Sequence, residues 1–463
     1  MQGSNAKAKR TSKHHSKPTI ELAPEAQAAL QLFEDSQQHV FLTGRAGTGK
    51  STLLRHFRST TRKRIVVLAP TGVAAVNVQG QTIHSFFRFG PGVTPEKARR
   101  RASGKTQLYR NLQTIVIDEI SMVRADLLDC VDQFLRANGP RASQPFGGVK
   151  MVFIGDLYQL PPVVQSEQEG LFTTHYASPY FFDAKVFGQT PCLVAQLSKV
   201  YRQNDAAFVT LLDAVRTGAL DASHIAALNA RYRADLSDLK RDQYVALVTT
   251  NAMADRINAH HLAQIRQKPY TFRGRLDGAF QQRQLPTDAS LTLKAGARIM
   301  MLNNEPRGRW VNGTLGQVSR IATHDESTDV HVKLESGYTG KISPYTWESI
   351  RFVFNDRRQR IESEVVGSFT QYPLRLAWGT TIHKAQGKTF DQVVIDFGRG
   401  AFAPGQAYVA LSRCRQLEGV VLRRPFKPEN VMVDERVQAF LEQAAIQRQE
   451  PDALSTQPLH PLS

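Results

Sequence analysis

Short apolar runs punctuate the first third of the chain, and each stops on a small, acidic or turn-forming residue: HVFL at 39–42, RIVVLAP at 64–70, TIVIDE at 114–119 and KMVFIGD at 150–156. Polar segments with helical spacing separate them. Continuous apolar runs bounded in this way predict strands buried on both faces, and strands alternating with helices predict a parallel α/β sheet whose ligand loops leave its carboxyl edge. The rhythm restarts after residue 190 with CLVAQL at 192–197 and YVALVTT at 244–250, then resumes much later with QVVIDF at 392–397 and GVVL at 419–422. A second α/β domain is therefore expected over 191–305 and 371–430, following a first over 19–190. The intervening stretch, 306–370, has a different texture. NGTLGQVSRI, DVHVKLESG and RFVFNDRRQRIESEVV alternate apolar and polar positions around Gly and Asn turns, which predicts a small β-barrel inserted into the second domain.

Composition narrows the class. A chain of 463 residues with 41% hydrophobic content is expected to fold as roughly two to four domains. Lys and Arg number 59 against 41 acidic residues, a formal charge of +18, which favours a polyanionic partner; a merely basic soluble protein is the alternative. Cys130, Cys192 and Cys414 are far apart and unpaired in sequence, so neither a disulfide framework nor a zinc cluster is expected, and a reducing compartment fits. No run approaches the ~20 apolar residues of a membrane span, and no secretory signal opens the chain, so a cytoplasmic, nucleoid-associated protein without membrane contact is expected. Residues 1–18 hold Lys7, Lys9, Arg10, Lys13 and Lys17 without an acid and are expected to be a disordered basic tail; 431–463 should give a C-terminal helix followed by a second disordered tail.

The strongest chemistry lies in GRAGTGKSTLL at 44–54, between a predicted strand and a predicted helix. Gly44, Gly49, Lys50 and Ser51 satisfy the phosphate-loop pattern: glycines let backbone N–H groups curl inward, Lys50 supplies a cation to the β- and γ-phosphates, and the Ser51 hydroxyl reaches Mg²⁺. A glycine-rich turn is the plainer alternative. IVIDEISM at 115–122 ends a strand in Asp118, suited to hold Mg²⁺ through water, and Glu119, placed to deprotonate an attacking water; the alternative is an acidic helix cap. VFIGDLYQLPPV at 152–163 ends another strand in Asp156 and Gln159, where an amide can sense the γ-phosphate.

In order along the chain, GRAGTGKST, LAPTGVAAVNVQGQTIHSF, VIDEISMV, GDLYQLPPV, VYRQ, TTIHKAQGKTFDQVVIDFG and YVALSRCR resemble the motifs of the petite-integration-frequency (PIF) helicase family, in the RecD-like, 5′-to-3′ branch of helicase superfamily one. The resemblance runs from about Gln27 to Leu422. It implies two RecA-like motor domains, an accessory subdomain inserted at 87–110, and an SH3-like barrel at 306–370. It implies ATP and Mg²⁺ as cofactors, with Ala46, Gly47, Thr48, Thr52 and Gly387 completing the nucleotide site and Gln27 reading adenine, although a solvated helical Gln27 fits as well. It assigns Arg202 and Arg413 as cations reaching the γ-phosphate from the second domain, which ties hydrolysis to domain closure; a surface ion pair is the alternative for each.

For the nucleic acid, the resemblance implies contacts from Thr71, Gly72, Thr82 and His84, and from Thr381, His383, Lys384 and Gln386. Phe86 or Phe87 either stacks a base or packs in the core. Arg99, Arg100, Arg101, Lys105 and Arg110 in the 87–110 insertion either neutralise phosphates or form a solvated face. The expected activity is ATP-driven 5′-to-3′ translocation on single-stranded DNA with opening of duplex and forked DNA, G-quadruplexes included, by a monomer engaged in DNA repair, replication, recombination and telomere maintenance. Two rivals are a DNA or RNA translocase with little unwinding power and an ATP-switched nucleic-acid-binding protein. A small-molecule kinase would leave Arg413 and THKAQG without a purpose.

Overall fold

The computed structural model describes residues 22–449 apart from 91, 100–106, 165–168, 204, 237–242, 281, 283–284, 324–327 and 399. The basic segment 1–18, Arg100, Arg101, Lys105 and the tail at 451–463 lie outside the described residues.

The first lobe opens with helix α1 (Pro24–Asp35), then β1 (His39–Gly44), α2 (Lys50–Thr60), β2 (Ile65–Ala69), α3 (Gly72–Asn77), β3 (Gln81–Thr82) and α4 (Ile83–Phe87). It continues through α5 (Pro95–Ala98), α6 (Gln107–Arg110), β4 (Thr114–Ile117), α7 (Ala125–Asn138), β5 (Lys150–Gly155), α8 (Glu169–His175) and β6 (Cys192–Leu197). The six strands form one parallel sheet in the order β3-β2-β4-β5-β1-β6. Successive side chains of a strand point to opposite faces, so Phe41, Ile115, Ile117 and Phe153 enter a core with α4 and α7, while Val40, Leu42, Val116 and Ile154 enter another with Phe33 of α1 and Phe57 of α2. Both faces are covered, which explains the unbroken apolar runs.

CLVAQL, expected to open the second domain, is instead the edge strand of the first sheet. It pairs parallel to β1 from His39↔Cys192 to Gly44↔Leu197. A connector then leads to α9 (Ala206–Thr217), α10 (Ala222–Asn229), β7 (Val245–Val248) and α11 (Asn251–Gln264) of the second lobe.

The inserted β region is larger than the sequence suggested. It comprises β8 (Tyr270–Arg273), β9 (Arg275–Gly278), β10 (Ser290–Leu293), β11 (Arg298–Met301), β12 (Leu315–Thr323), β13 (Thr328–Leu334), β14 (Thr339–Ile342), β15 (Tyr345–Asn355), β16 (Arg360–Gln371) and β17 (Leu374–Leu376). A five-stranded antiparallel sheet, β14-β13-β12-β11-β17, holds a core of its own around Ile299, Val318, Val332 and Trp310. Where a barrel was expected over 306–370, this sheet draws on β11 and β17 from either side of that range. The segment RFVFNDRRQRIESEVV belongs to a separate long hairpin, β15–β16, whose far half reaches the first lobe: Phe352 is buried in the first-lobe core, and its N–H donates to Gln81 Oε1 at 2.9 Å.

The second lobe resumes with β18 (Gly379–Thr381), α12 (Ile382–Ala385), β19 (Val393–Asp396), α13 (Gln406–Leu411) and β20 (Val420–Leu422), giving a parallel sheet β18-β7-β19-β20 over a core that includes Phe208 and Leu212 of α9. The last helix, α14 (Glu435–Gln449), returns to the first lobe, where Phe440 stacks on Phe182 with centroids 4.3 Å apart.

The lobes touch through backbone at one tight point. A Cβ at Gly405 would lie 2.3 Å from the Tyr158 carbonyl oxygen and 2.4 Å from that of Gln159, so only glycine lets α13 begin there. No helix among the described residues is long and apolar enough to cross a membrane.

Candidate nucleotide site and strand cleft

Between the lobes lies a cavity of about 410 Å³, lined by Ala46 to Thr52, Asp118, Glu119, Gln159, Arg202, Gly387 and Arg413. These come from the ends of β1, β4 and β5, from the connector, and from the two segments flanking α12 and α13. Parallel strands end there on the same edge, which is why motifs scattered over the chain meet. The Lys50 ammonium is folded onto the loop, donating to the carbonyls of Gly44 at 2.6 Å and Arg45 at 3.0 Å. Burial lowers its pKa, while the carboxylates of Asp156, Glu119 and Asp118 act in the opposite sense. Gly47 has φ +84, and a Cβ on it would lie 2.5 Å from Arg202 Cβ; the missing side chain lets the connector pass over the loop.

Asp118 and Glu119 differ in posture. Asp118 is buried, and burial followed by its Glu119 neighbour raises its pKa to about 7. Glu119 sits at φ 52, ψ 45, a left-handed conformation that non-glycine residues adopt at a cost, and it is the kind of backbone outlier found at functional sites. Its Oε2 accepts a hydrogen bond from Gln386 Nε2 at 3.1 Å, and the same amide nitrogen donates to Gln159 Oε1 at 3.2 Å. Both N–H bonds of Gln386 therefore cross from the second lobe to the first. Gln159 in turn donates to Asp156, which is paired with Arg216 of α9 at 3.1 Å. Gln386, assigned to the nucleic acid by resemblance, follows directly on α12, which ends at Ala385, and its amide is bonded to these two first-lobe residues of the nucleotide cavity.

Arg202 and Arg413 both line this cavity. Arg413 is 1% exposed and donates to the carbonyls of Val409 and Lys388 and to Ser412 Oγ; burial, then repulsion from Arg202, lowers its pKa to about 9. Arg202 donates to the carbonyls of Ser412 and Gly387, each at 3.4 Å. Neither forms an ion pair among the described residues. Two like charges held together in a buried cleft with only carbonyls and a hydroxyl as partners mark a place for an anion.

Arg202 lies on the connector, not within the second domain proper. The connector is tied to both lobes in quick succession: Tyr201 N–H donates to the Gly47 carbonyl at 2.9 Å, and Gln203 Nε2 donates to the carbonyls of Ser412 and Cys414, each at 3.1 Å. Sequence reasoning missed Gln203, the half-exposed Tyr201 ring beside the loop, and Tyr408, whose hydroxyl accepts the Ala46 N–H at 2.8 Å. Their adjacency to Arg202 in VYRQ and to Arg413 in YVALSR was the available signal; for Arg216 there was none.

A second cleft, of about 600 Å³, is lined by Val73 of α3, by residues of α11 and by Thr381, Lys384 and Lys388. Of the residues assigned to the nucleic acid, Thr381 and Lys384 line it; Thr71, Gly72, Thr82, His84 and His383 do not. Thr71, Thr82 and Thr381 share one local role, since each hydroxyl oxygen accepts a backbone N–H three residues on and caps α3, α4 or α12. His383 is partly buried, which lowers its pKa.

One assignment is corrected. Phe86 and Phe87 are 4% and 2% exposed and pack edge to face on each other, with Phe86 also against Tyr109 and Phe352, so neither ring has a face for a base. Gln27 lies on α1, outside the nucleotide cavity lining, with its amide bonded to the Leu22 carbonyl. In the 87–110 insertion, Arg99 donates to Gln133 at 2.9 Å and Arg110 ends α6.

Residues 25–225 match the family described as PIF1-like helicase. The ATP-dependent DNA helicase Pif1 of Bdellovibrio bacteriovorus is 33% identical over 92% of this chain and 92% of its own. Pif1 from a Bacteroides species superposes with a TM-score of 0.83 in its complex with ADP-AlF4, at 33% identity over 94% of this chain and 99% of that one. The same protein bound to single-stranded DNA gives 0.66, at 34% identity over the same shares.

Proposed function

The chain belongs to the PIF1-like helicase family and is an ATP-dependent DNA helicase; on that premise we propose that it moves 5′ to 3′ along single-stranded DNA, opens forked duplexes, and draws its stroke from closure of the cavity between Lys50 and the Arg202–Arg413 pair. The convergence of two unpaired guanidiniums on a phosphate loop from across the cleft carries this reading.

In the proposed cycle the triphosphate draws the Lys50 ammonium off the loop carbonyls and gives Arg202 and Arg413 their missing anion. Glu119 takes the proton of the attacking water, a role that contributes on the order of 10²- to 10⁴-fold, and the arginines stabilise charge on the transferring phosphoryl, for roughly 10³- to 10⁵-fold. Gln386 keeps Glu119 and Gln159 in register, so the base is correctly aimed only when the lobes meet. Ser51 and Asp118 suit Mg²⁺: a hydroxyl and one buried carboxylate, whose raised pKa a cation would relieve, leave the remaining positions to phosphate and water. When bound, the ion would neutralise charge between the β- and γ-phosphates.

The test is strand opening on forked DNA carrying only a 5′ tail, beside a fork carrying only a 3′ tail. ATP-driven opening of the 5′-tailed fork, abolished in Lys50→Ala, is expected; preference for the 3′ tail overturns the polarity.

A further inference from the structure

Three cations gather in the strand cleft, and only Lys384 was assigned to the nucleic acid. Arg375, from β17, and Lys388, just beyond α12, line the same cleft. The Lys388 side chain is partly buried, and its ammonium donates to the Met300 thioether at 3.2 Å, a weak acceptor for a full charge. Arg375 donates to the Pro286 carbonyl, but its Nε is buried without a partner. Asp255 and Asp288 are the carboxylates along the cleft, yet both are exposed and neither forms an ion pair with these cations. Burial, then mutual repulsion among the three, lowers the pKa of Lys388. An orphaned guanidinium N–H and an ammonium resting on sulfur are the marks of a site that lacks its anion.

Lys388 also touches the other cavity. Its carbonyl accepts from Arg413 Nη1 at 3.3 Å, and the preceding carbonyl, of Gly387, accepts from Arg202 Nη2. We infer that Arg375, Lys384 and Lys388 form a cradle for a backbone phosphate of the threaded strand, and that Lys388 passes its occupancy to Arg413 through its own peptide. The inference rests on the helicase reading and adds two binding residues and a physical link to it.

Binding of a labelled oligo-dT strand is to be followed by fluorescence anisotropy across a salt series. Each of Lys388→Gln and Arg375→Gln should weaken binding about tenfold and reduce the slope of log K against log salt by about 0.7, the loss of one phosphate contact to a single strand. Lys388→Arg should keep the slope, and Lys388→Gln should also lose most of the DNA stimulation of ATP hydrolysis at saturating strand. A neutral methylphosphonate linkage stepped along the strand reads the same contact in the unaltered protein: one position should weaken wild-type binding, and should have no further effect on Lys388→Gln. Wild-type affinity and slope in both glutamine variants, or a methylphosphonate series without such a position, overturns the cradle while leaving the helicase reading intact. A wild-type protein that does not bind the strand at all overturns both.

Discussion

The segment Thr381–Thr389 lends Gly387 and Thr389 to the nucleotide cavity and Thr381, Lys384 and Lys388 to the strand cleft, yet the two are built differently. The cavity is assembled from many distant segments, and its polar groups are bonded across the lobes: Glu119 and Gln159 both accept from Gln386, Arg413 donates to three acceptors, and Gln159 donates to Asp156. In the cleft Thr381 is spent on capping a short helix, and the Lys388 ammonium stands with a poor partner. A triphosphate is one shape with fixed charge, so its site can be organised in advance. A sliding strand presents a changing surface, and groups that must release it cannot be bonded too well to anything else.

This contrast can be tested by disturbing each side separately. Arg413→Ala should have the largest effect, lowering DNA-stimulated kcat by about 10³-fold or more while strand affinity changes little, as steady-state hydrolysis and anisotropy would report. Next comes Glu119→Gln, which should reduce kcat by on the order of 10²- to 10⁴-fold and leave nucleotide binding intact in a fluorescent-nucleotide titration. Gln386→Ala distinguishes the two sides most directly. If it serves the nucleotide, kcat falls about tenfold, the ~1.4 kcal/mol of one well-made hydrogen bond to a charged group, with unchanged strand affinity; if it serves the strand, the pattern reverses. The smallest effect belongs to Phe86→Leu, which should cost about 1 kcal/mol in thermal or denaturant unfolding and leave strand binding within twofold, since the ring is core and not platform.

What the sequence made legible follows from the same physics. That the phosphate loop, Asp118 and Glu119 would meet in one cavity was readable from local backbone patterns of the residue types triphosphate chemistry demands, and that Arg202 and Arg413 would join them came from the family resemblance. The two parallel sheets were readable because burial on both faces leaves unbroken apolar runs. Which sheet CLVAQL joins was not, since strand pairing is a long-range choice that an apolar run does not encode; β6 pairs with a strand some 150 residues earlier. The insertion was recognised by its alternation but misbounded, because Arg298–Met301 and Leu374–Leu376 are buried on both faces or too short to alternate. The Asp156–Arg216 pair joins residues 60 apart in sequence and carries no local signature. Phe86 illustrates the converse: an aromatic next to a nucleic-acid motif looked functional until Tyr109 and Phe352 closed over it.

The connector has a mechanical consequence. Tyr201 is fastened by its backbone to the phosphate loop and Gln203 by its side chain to the segment that carries Arg413. Only the torsions of the intervening peptide units lie between the two anchors, so along this path any widening of the gap must be absorbed by very few dihedral angles. In the proposed cycle Arg202 would stand at the axle of that rotation, where a small angular change would swing a long guanidinium arm through a large arc and turn a subtle tilt of the lobes into a make-or-break contact with fuel.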